Sequence, residues 1–284
     1  MTFRILFICL LAGVSGIAGA QITDSQRDSL YINEVQQLEE PDKVLHAEPL
    51  FIDLIRDLGA RKGEREWNVG LGLVDNLKYD TYETLVEYEW APVNRLGLEV
   101  ELPFTFYSPL NGTDRALLPS HRLKSLKTAA QYTFLVNQRH ATSMAIGYIH
   151  EFKLPSFDEF QSPGIRGHVY NPFFIAAKRW GSRMHGLIYA GPVWDKPNGS
   201  KAIDASQINT SFHYMIPGTR NFIGLEVNTT QQGRDTDITF RPQMRLSVTD
   251  RVLIGIVAGI PVNRENQRFS TFARLIWEPM HKSR

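Results

Sequence analysis

Apolar and polar residues alternate with a period of two from Glu64 onward. Between Leu96 and Phe106 almost every second residue is apolar, and Glu99 and Glu101 lie between them. A helix would distribute these charges around its surface, whereas a strand places them on one side. The segments run for about ten residues, which suits a tilted membrane strand and exceeds the ~5–6 residues of an average strand. The pattern predicts an all-β protein of membrane-spanning strands.

Such segments recur along the whole chain. We count about twelve, an even number of the kind found in bacterial outer-membrane barrels. The alternation is weakest from His168 to Trp180 and from Arg183 to Trp194. The predicted strands begin near Glu66, Tyr79, Arg95, Leu123, Ala141, His168, Arg183, Ser206, Arg220, Thr236, Arg251 and Arg268.

The connections between the segments alternate in length. The tight ones are Ala91–Asn94, Asn137–Arg139, Gly181–Ser182, Pro217–Thr219 and Thr249–Asp250. The longer ones include Ser108–Arg122, Leu154–Gly167, Asp195–Ala205, Gln231–Asp235 and Asn263–Gln267. Bacterial barrels have short periplasmic turns and longer external loops. Residues 64–279 are therefore predicted to form a transmembrane up-and-down antiparallel β-barrel of the outer membrane.

Residues 1–20 have the layout of a secretory signal peptide. Arg4 supplies the positive charge, Ile5 to Val14 form a short apolar stretch, and Ala18-Gly19-Ala20 is a cleavage site. Cys9, the only cysteine, lies in the segment that would be removed. The mature protein is thus predicted to lack disulfides, thiol catalysis and cysteine-bound metals.

Residues 21–63 are predicted to form a periplasmic lead-in to the barrel. Gln21 to Leu45 is polar and is predicted to be flexible. From Glu48 to Ala60 the apolar residues fall on one helical face, which predicts a short amphipathic helix. Three roles stay open for this helix: a plug, a contact with the membrane interface, or simple packing against the barrel mouth. Residues 21–63 are also the place where a periplasmic partner would bind.

Charge and hydropathy argue against a nucleic-acid-binding protein and exclude a helical membrane protein. The formal net charge is +1, which gives no support for a nucleic-acid partner. The mean hydropathy is −0.24, and no long apolar run follows the first twenty residues. A helical membrane protein is excluded because each spanning helix needs ~20 apolar residues.

Charged residues on the polar strand faces would line the lumen. The predicted lumen-lining set is Glu83, Glu87, Glu89, Glu99, Glu101, Lys127, Arg241 and Arg245, with Arg274 as a further base. If these charges face one another across water, the pore selects solutes by charge. If they pair directly, they fill a closed barrel.

Some outer-membrane hydrolases are also barrels, so an enzyme is a third alternative. Ser211 and His213 share one face of a strand, but a catalytic triad needs a third, orienting group. No G-x-S-x-G, H-E-x-x-H, Walker or EF-hand motif occurs. The sequence therefore predicts no enzymatic activity, no cofactor and no metal.

The stretch from His46 to Gly63, HAEPLFIDLIRDLGARKG, leads into Trp67-Asn68-Val69-Gly70. It resembles the opening of a family of little-characterised Gram-negative outer-membrane barrels. The layout beyond it is similar to that of barrels grouped under the "meta-pathway of phenol degradation" heading, which are regarded as transporters. The resemblance implies a fold and a compartment more than a solute. Outer-membrane barrel chains usually end at an aromatic residue that the assembly machinery recognises. This chain departs from that pattern, because Trp277 is followed by Glu278-Pro279 and a basic tail, residues 280–284.

These features together predict an outer-membrane barrel that is a passive channel or transporter for small or hydrophobic solutes. The alternative is a closed structural or accessory barrel, and an outer-membrane hydrolase comes third. The expected partners are outer-membrane lipid and a small solute, and no nucleic acid.

Overall fold

The computed structural model of the chain describes residues 22–36, 41–52, 54–110, 112–159, 161 and 164–279. The predicted signal peptide, residues 1–20, and the tail, residues 280–284, lie outside these ranges. None of the described helices is long and apolar enough to cross a membrane.

Twelve antiparallel strands form one closed barrel. The fourth strand is interrupted at Lys124, and both of its parts pair with the third. The strands are β1 (Arg65–Asn76), β2 (Tyr79–Val93), β3 (Leu96–Pro109), β4 (Arg122–Leu123 and Ser125–Asn137), β5 (Thr142–Lys153), β6 (Gly167–Trp180), β7 (Met184–Pro197), β8 (Ile203–Met215), β9 (Phe222–Gln232), β10 (Asp235–Thr249), β11 (Val252–Pro261) and β12 (Gln267–Trp277).

Each strand pairs with the next along the chain, and β12 pairs with β1 to close the sheet. Trp277 lies opposite Trp67 at this seam. Closure leaves no sheet edge, which a structure in hydrocarbon requires. The predicted barrel is confirmed, and the predicted strand starts agree closely with the observed ones. The largest difference is at β8, predicted from Ser206 and observed from Ile203.

The outward face of the barrel is apolar and the inward face is polar. Leu71 and Ile146, near the middle of their strands, are 60% and 53% exposed on the outside. Trp180 and Trp277 are exposed at the end of the barrel that has the tight turns. An apolar belt with aromatic residues at its border is typical of outer-membrane barrels.

A helix precedes the barrel in the stretch that was predicted to be flexible. Helix α1 (Asp24–Gln36) begins with a capping box, in which Gln26 N–H donates to Thr23 Oγ1 and Thr23 N–H donates to Gln26 Oε1. Asp28 accepts from Arg183 Nε at 2.8 Å and from Gly218 N–H at 2.7 Å. The prediction of a flexible segment is wrong for this stretch, because the cap and the turns of the barrel supply its partners.

The predicted amphipathic helix from Glu48 to Ala60 is also wrong. The described residues of this stretch form bends and turns. Arg56 and Gly59 have φ angles of 64° and 85°, in the left-handed region that interrupts a right-handed helix. The apolar residues that mimic a helical face instead contact two patches of the barrel wall, Leu50 one of them and Leu54, Ile55 and Leu58 the other.

Leu71→Arg tests the outward orientation of the apolar belt. We expect the free energy of unfolding from lipid to fall by about 2–4 kcal/mol, because the charge would lie near the bilayer midplane. Val262→Arg is the control, since Val262 is 61% exposed but lies just beyond β11, where the expected loss is about 0–1 kcal/mol. Denaturant titration in liposomes measures both. Equal losses would show that Leu71 does not face lipid.

Candidate functional site

A segment of the N-terminal region runs inside the barrel. We call residues 43–52 and 54–60 the plug segment; most of its side chains are buried. Both of its ends lie at the tight-turn end. Gln138, in the turn between β4 and β5, donates to the Lys43 carbonyl at 3.5 Å, and Arg95 N–H donates to the Ala60 carbonyl at 2.6 Å. The plug segment therefore enters the lumen and returns through the same mouth.

Polar wall side chains hold the tip of the plug segment. Glu226 on β9 accepts from the backbone N–H groups of Phe51 at 3.3 Å and Ile52 at 3.0 Å. Gln243 on β10 accepts from Leu50 N–H at 2.8 Å. Buried backbone donors need such partners, and here the wall supplies them in place of a helix or sheet.

The returning arm of the plug segment packs on an apolar patch of the wall. Leu54, Ile55 and Leu58 are buried in one cluster with Phe173 and Ile175 of β6. Further wall residues of this cluster are Ala129, Ala145, Ala177, Leu187 and Tyr189. Strands β6 and β7 are thus apolar toward the plug as well as toward lipid. This explains why alternation is weakest in those two strands.

The plug backbone touches the wall most closely at a glycine. A Cβ atom on Gly97 of β3 would lie 1.9 Å from the Ile55 carbonyl oxygen. No side chain fits between these two backbones, so the lumen at this height is shaped for the plug segment.

Ion pairs fix the base of the plug segment. Arg56 pairs with Glu66 of β1 and lies 3.8 Å from Glu89 and from Glu278. Lys43 lies 2.6 Å from Asp57. Burial alone would raise the pKa of Asp57, but Lys43 and Arg56 hold it well below its ordinary value. The base of the plug segment is therefore a buried network of charges, and removal of one partner would leave the others buried without an opposite charge.

Helix α1 covers the mouth through which the plug segment enters. Arg220, in the turn between β8 and β9, pairs with Glu34 at 2.5 Å and lies over the Tyr31 ring at 5.1 Å. Tyr31 also packs on the buried cluster of Ala47 and Met215. The mouth at the tight-turn end is thus closed by both the helix and the plug segment.

The predicted lumen carboxylates lie together on β2 and β3. Glu87 is directly opposite Glu101, and Glu89 opposite Glu99, and all four are buried inside the barrel. Like charges at such positions repel unless bases intervene. Lys127 supplies one, at 3.1 Å from Glu99 and 2.8 Å from Glu101.

One further base, a side-chain amide and the plug backbone also contact these carboxylates. Arg274 lies 3.4 Å from Glu87. Glu89 accepts from Arg56 N–H at 2.7 Å and from the Asn68 amide at 3.0 Å. Glu87, Glu89, Glu99 and Glu101 are therefore paired directly rather than across open water.

The remaining predicted residues lie elsewhere in the lumen. Arg241 is placed over the Phe51 ring at 3.3 Å from its centroid, and Arg245 lies 3.6 Å from Glu48. Both arginines thus contact the plug segment rather than the four paired carboxylates of β2 and β3. Glu83 is exposed inside the barrel above the plug tip.

Sequence reasoning missed the residues that anchor the plug segment, above all Glu226, Gln243 and Arg56. Glu226 occupies an inward position of β9, so the alternation could have placed it in the lumen set. Nothing local marks Arg56, which lies among several other charged residues of the lead-in.

His213, which shares a strand face with Ser211, contacts a wall side chain, and Ser211 Oγ makes no hydrogen bond within the described residues. His213 Nε2 lies 3.0 Å from the Gln243 amide nitrogen, and His185 accepts from Ala47 N–H at 2.9 Å. Both histidines therefore contribute to the wall around the plug segment.

A cavity of about 170 Å³ lies above the plug tip, toward the long loops. Phe51 of the tip and Phe272 of β12 supply apolar surface, and Arg241 and Glu83 supply opposite charges. We call this cavity the vestibule. It is the space left in the lumen beyond the end of the plug segment.

Residues 42–278 match the family model described as HAEPLYID-like. No curated protein matches the sequence. Among solved structures, the COG4313 outer membrane channel from Pseudomonas putida F1 is 12% identical with a TM-score of 0.60, over 78% of this chain and 97% of that one. The NanC porin is 9% identical with a TM-score of 0.54, over 75% of this chain and 100% of that one. At these identities the likeness extends to the fold alone.

Gly97→Ala tests the close contact between the plug segment and β3. The added Cβ would overlap the Ile55 carbonyl, and overpacking of this kind costs about 1–3 kcal/mol. We expect faster hydrogen exchange at the Gly59 and Leu50 amides, whose partners are wall side chains. Gly72→Ala is the matched control, because its Cβ would have no neighbour nearer than 3.4 Å. Equal exchange in both variants would contradict the tight fit.

The base of the plug segment should depend on pH through Glu278. Burial, with Glu66 nearby, raises the pKa of Glu278 to about 7. A carboxyl group with a raised folded-state pKa contributes stability at low pH and loses it as pH rises through about 7. Between pH 6 and pH 8 the wild type should therefore lose about 1–2 kcal/mol more than Glu278→Gln. Denaturant titrations at both pH values measure this, and parallel losses in the two proteins would contradict it.

Proposed function

The chain belongs to the HAEPLYID-like family, and we propose that it is an outer-membrane channel for small solutes whose resting state is closed by the plug segment. The plug contacts carry this proposal. The strands close without the plug segment, and wall side chains satisfy its backbone. The plug segment is thus a separable filling of the lumen and no part of the wall.

The width of the barrel supports the presence of a pore once the plug segment has left the lumen. Barrels of about eight strands have interiors that side chains alone can fill, whereas those of about sixteen enclose water. Twelve strands lie between these cases. Here the added room is taken by a stretch of backbone, so its departure would leave a water-filled path.

The outward belt and the loop pattern support the outer membrane as the location. Helix α1 and both barrel termini lie at the tight-turn end, which is the periplasmic end in bacterial barrels. The plug segment would then be reached from the periplasm. The similarity in layout to the meta-pathway barrels stays a prediction and points to the same class of small or hydrophobic solutes.

A closed accessory barrel is the second candidate. The buried ion pairs around Arg56 and the covering helix α1 favour it, because both would keep the lumen shut. In that case the exposed face of α1 would serve a periplasmic partner. The two candidates differ in whether the wall encloses a conducting path once the plug segment is gone.

Conductance in planar bilayers distinguishes the two candidates. The mature protein should be nearly silent, and a variant lacking residues 22–60 should conduct steadily. Heat-modifiable migration on a gel verifies that the shortened barrel is folded. A folded but silent deletion variant would reject the channel and favour the accessory barrel.

A second variant covers the case in which the deletion variant does not assemble. Arg56→Ala with Glu226→Ala removes the anchors at the base and the tip, at about 3–5 and 1.5–3 kcal/mol. We expect intermittent conductance, at least ~1000-fold more frequent than in the wild type. Glu151→Gln is the matched control, a lumen carboxylate whose hydrogen bond is to Ser125 of the wall. The same silence in the double variant and the control would contradict the channel.

A further inference from the structure

The vestibule has the chemistry of a small binding site. Its lining includes one cation and one anion, Arg241 and Glu83, and two aromatic rings, Phe51 and Phe272. Its volume of about 170 Å³ would hold about six water molecules at ~30 Å³ each. A solute of a few heavy atoms therefore fits without displacement of the plug segment.

The cationic side of the vestibule is rigid. Arg241 donates through Nε to Asn228 at 2.6 Å and through Nη1 to Ser270 at 3.3 Å, and the Phe51 ring lies beneath its guanidinium. Gly259 makes room for this arrangement, since a Cβ there would lie 2.5 Å from Arg241 Nη1. A guanidinium held in one orientation has donors left over and is suited to a carboxylate.

Two polar groups of the vestibule make no hydrogen bond or ion pair within the described residues. Gln267 Nε2 is a buried donor without an acceptor there, and Glu83 makes no ion pair or hydrogen bond with the described chain. A buried donor without an acceptor is costly, so a ligand oxygen at this place would be favourable. Glu83 in turn offers an unshared carboxylate to a ligand cation.

We propose that the vestibule binds small zwitterions with an apolar body, such as α-amino acids. The ligand carboxylate faces Arg241 and Gln267, its ammonium group faces Glu83, and its apolar part lies on Phe51 and Phe272. An anion alone would leave Glu83 without a cation in contact, and a cation alone would leave the remaining Arg241 donors and Gln267 Nε2 without an acceptor. This inference deepens the proposed function, on which it rests, by naming the class of solute.

Titration calorimetry on the mature barrel in detergent at pH 7 tests the proposal with three probes. L-valine carries both charges, L-valinamide lacks the carboxylate, and N-acetyl-L-valine lacks the ammonium group. We expect valine to bind about tenfold or more tightly than either blocked probe, a difference of about 1.4 kcal/mol. Equal binding of the three probes, or no binding of valine, would overturn the proposal.

Single substitutions assign each charge to one end of the ligand. Glu83→Gln should abolish the preference for valine over N-acetylvaline and keep the preference over valinamide. Arg241→Gln should abolish the preference for valine over valinamide and keep the preference over N-acetylvaline. Glu83 is exposed and makes no hydrogen bond that holds the plug segment. Glu83→Gln therefore tests whether the ligand ammonium group faces Glu83, even if Arg241→Gln releases the plug tip. An unchanged preference in Glu83→Gln would overturn the assignment.

Calorimetry on the closed barrel is independent of conduction. Glu151→Gln, which lies outside the vestibule, should bind all three probes as the wild type does. If the deletion variant conducts but the barrel does not prefer valine over the blocked probes, the channel is supported and the proposed solute class is rejected. If valine binds as expected but the deletion variant is silent, the binding site is supported and the channel is rejected.

Discussion

A closed ring of twelve strands leaves more room than wall side chains can fill, and the rest of the structure depends on this constraint. The plug segment fills that room with backbone, whose donors must then be satisfied away from water. Glu226, Gln243 and Thr133 accept from plug N–H groups for this reason. Gly97 has no side chain because the plug backbone passes directly over it.

The charge pattern of the lumen follows from the same filling. Glu87 and Glu101 lie opposite each other, as do Glu89 and Glu99, an arrangement that would be unfavourable in an empty sheet. Lys127 compensates from the wall, and Arg56 compensates from the plug segment. The plug segment is thus an electrostatic partner of β2 as well as a steric filler. Of the two alternatives that the sequence left open, direct pairing holds for Glu87, Glu99 and Glu101, whereas Arg241 and Arg245 contact the plug segment instead.

The barrel could be predicted from the sequence because its signals are local. Apolar and polar residues alternate along a strand between lipid and lumen whatever its neighbours are. Strand β3 can therefore be predicted from the residues Leu96 to Phe106 alone. A plug is one of the three roles that the sequence leaves open for residues 48–60. Its conformation could not be predicted in this way, because it is fixed by partners distant in sequence, such as Glu226. Leu54, Ile55 and Leu58 imitate a helical face, yet they mark contacts with one patch of the wall. The role of the predicted lumen residues in selectivity stays a prediction.

The contacts of the plug segment also limit how it can leave the lumen. Release would expose Leu50, Leu54, Ile55 and Leu58, each worth about 1.5–3 kcal/mol when buried. The total of about 6–12 kcal/mol corresponds to an open population of about one in ten thousand or fewer. The apolar lumen face of β6 and β7 would meet water at the same time. If the barrel is the channel proposed above, a mostly open state therefore needs a source of free energy beyond thermal fluctuation. The mouth covered by α1 is the place where such an input can act, since both ends of the plug segment emerge there.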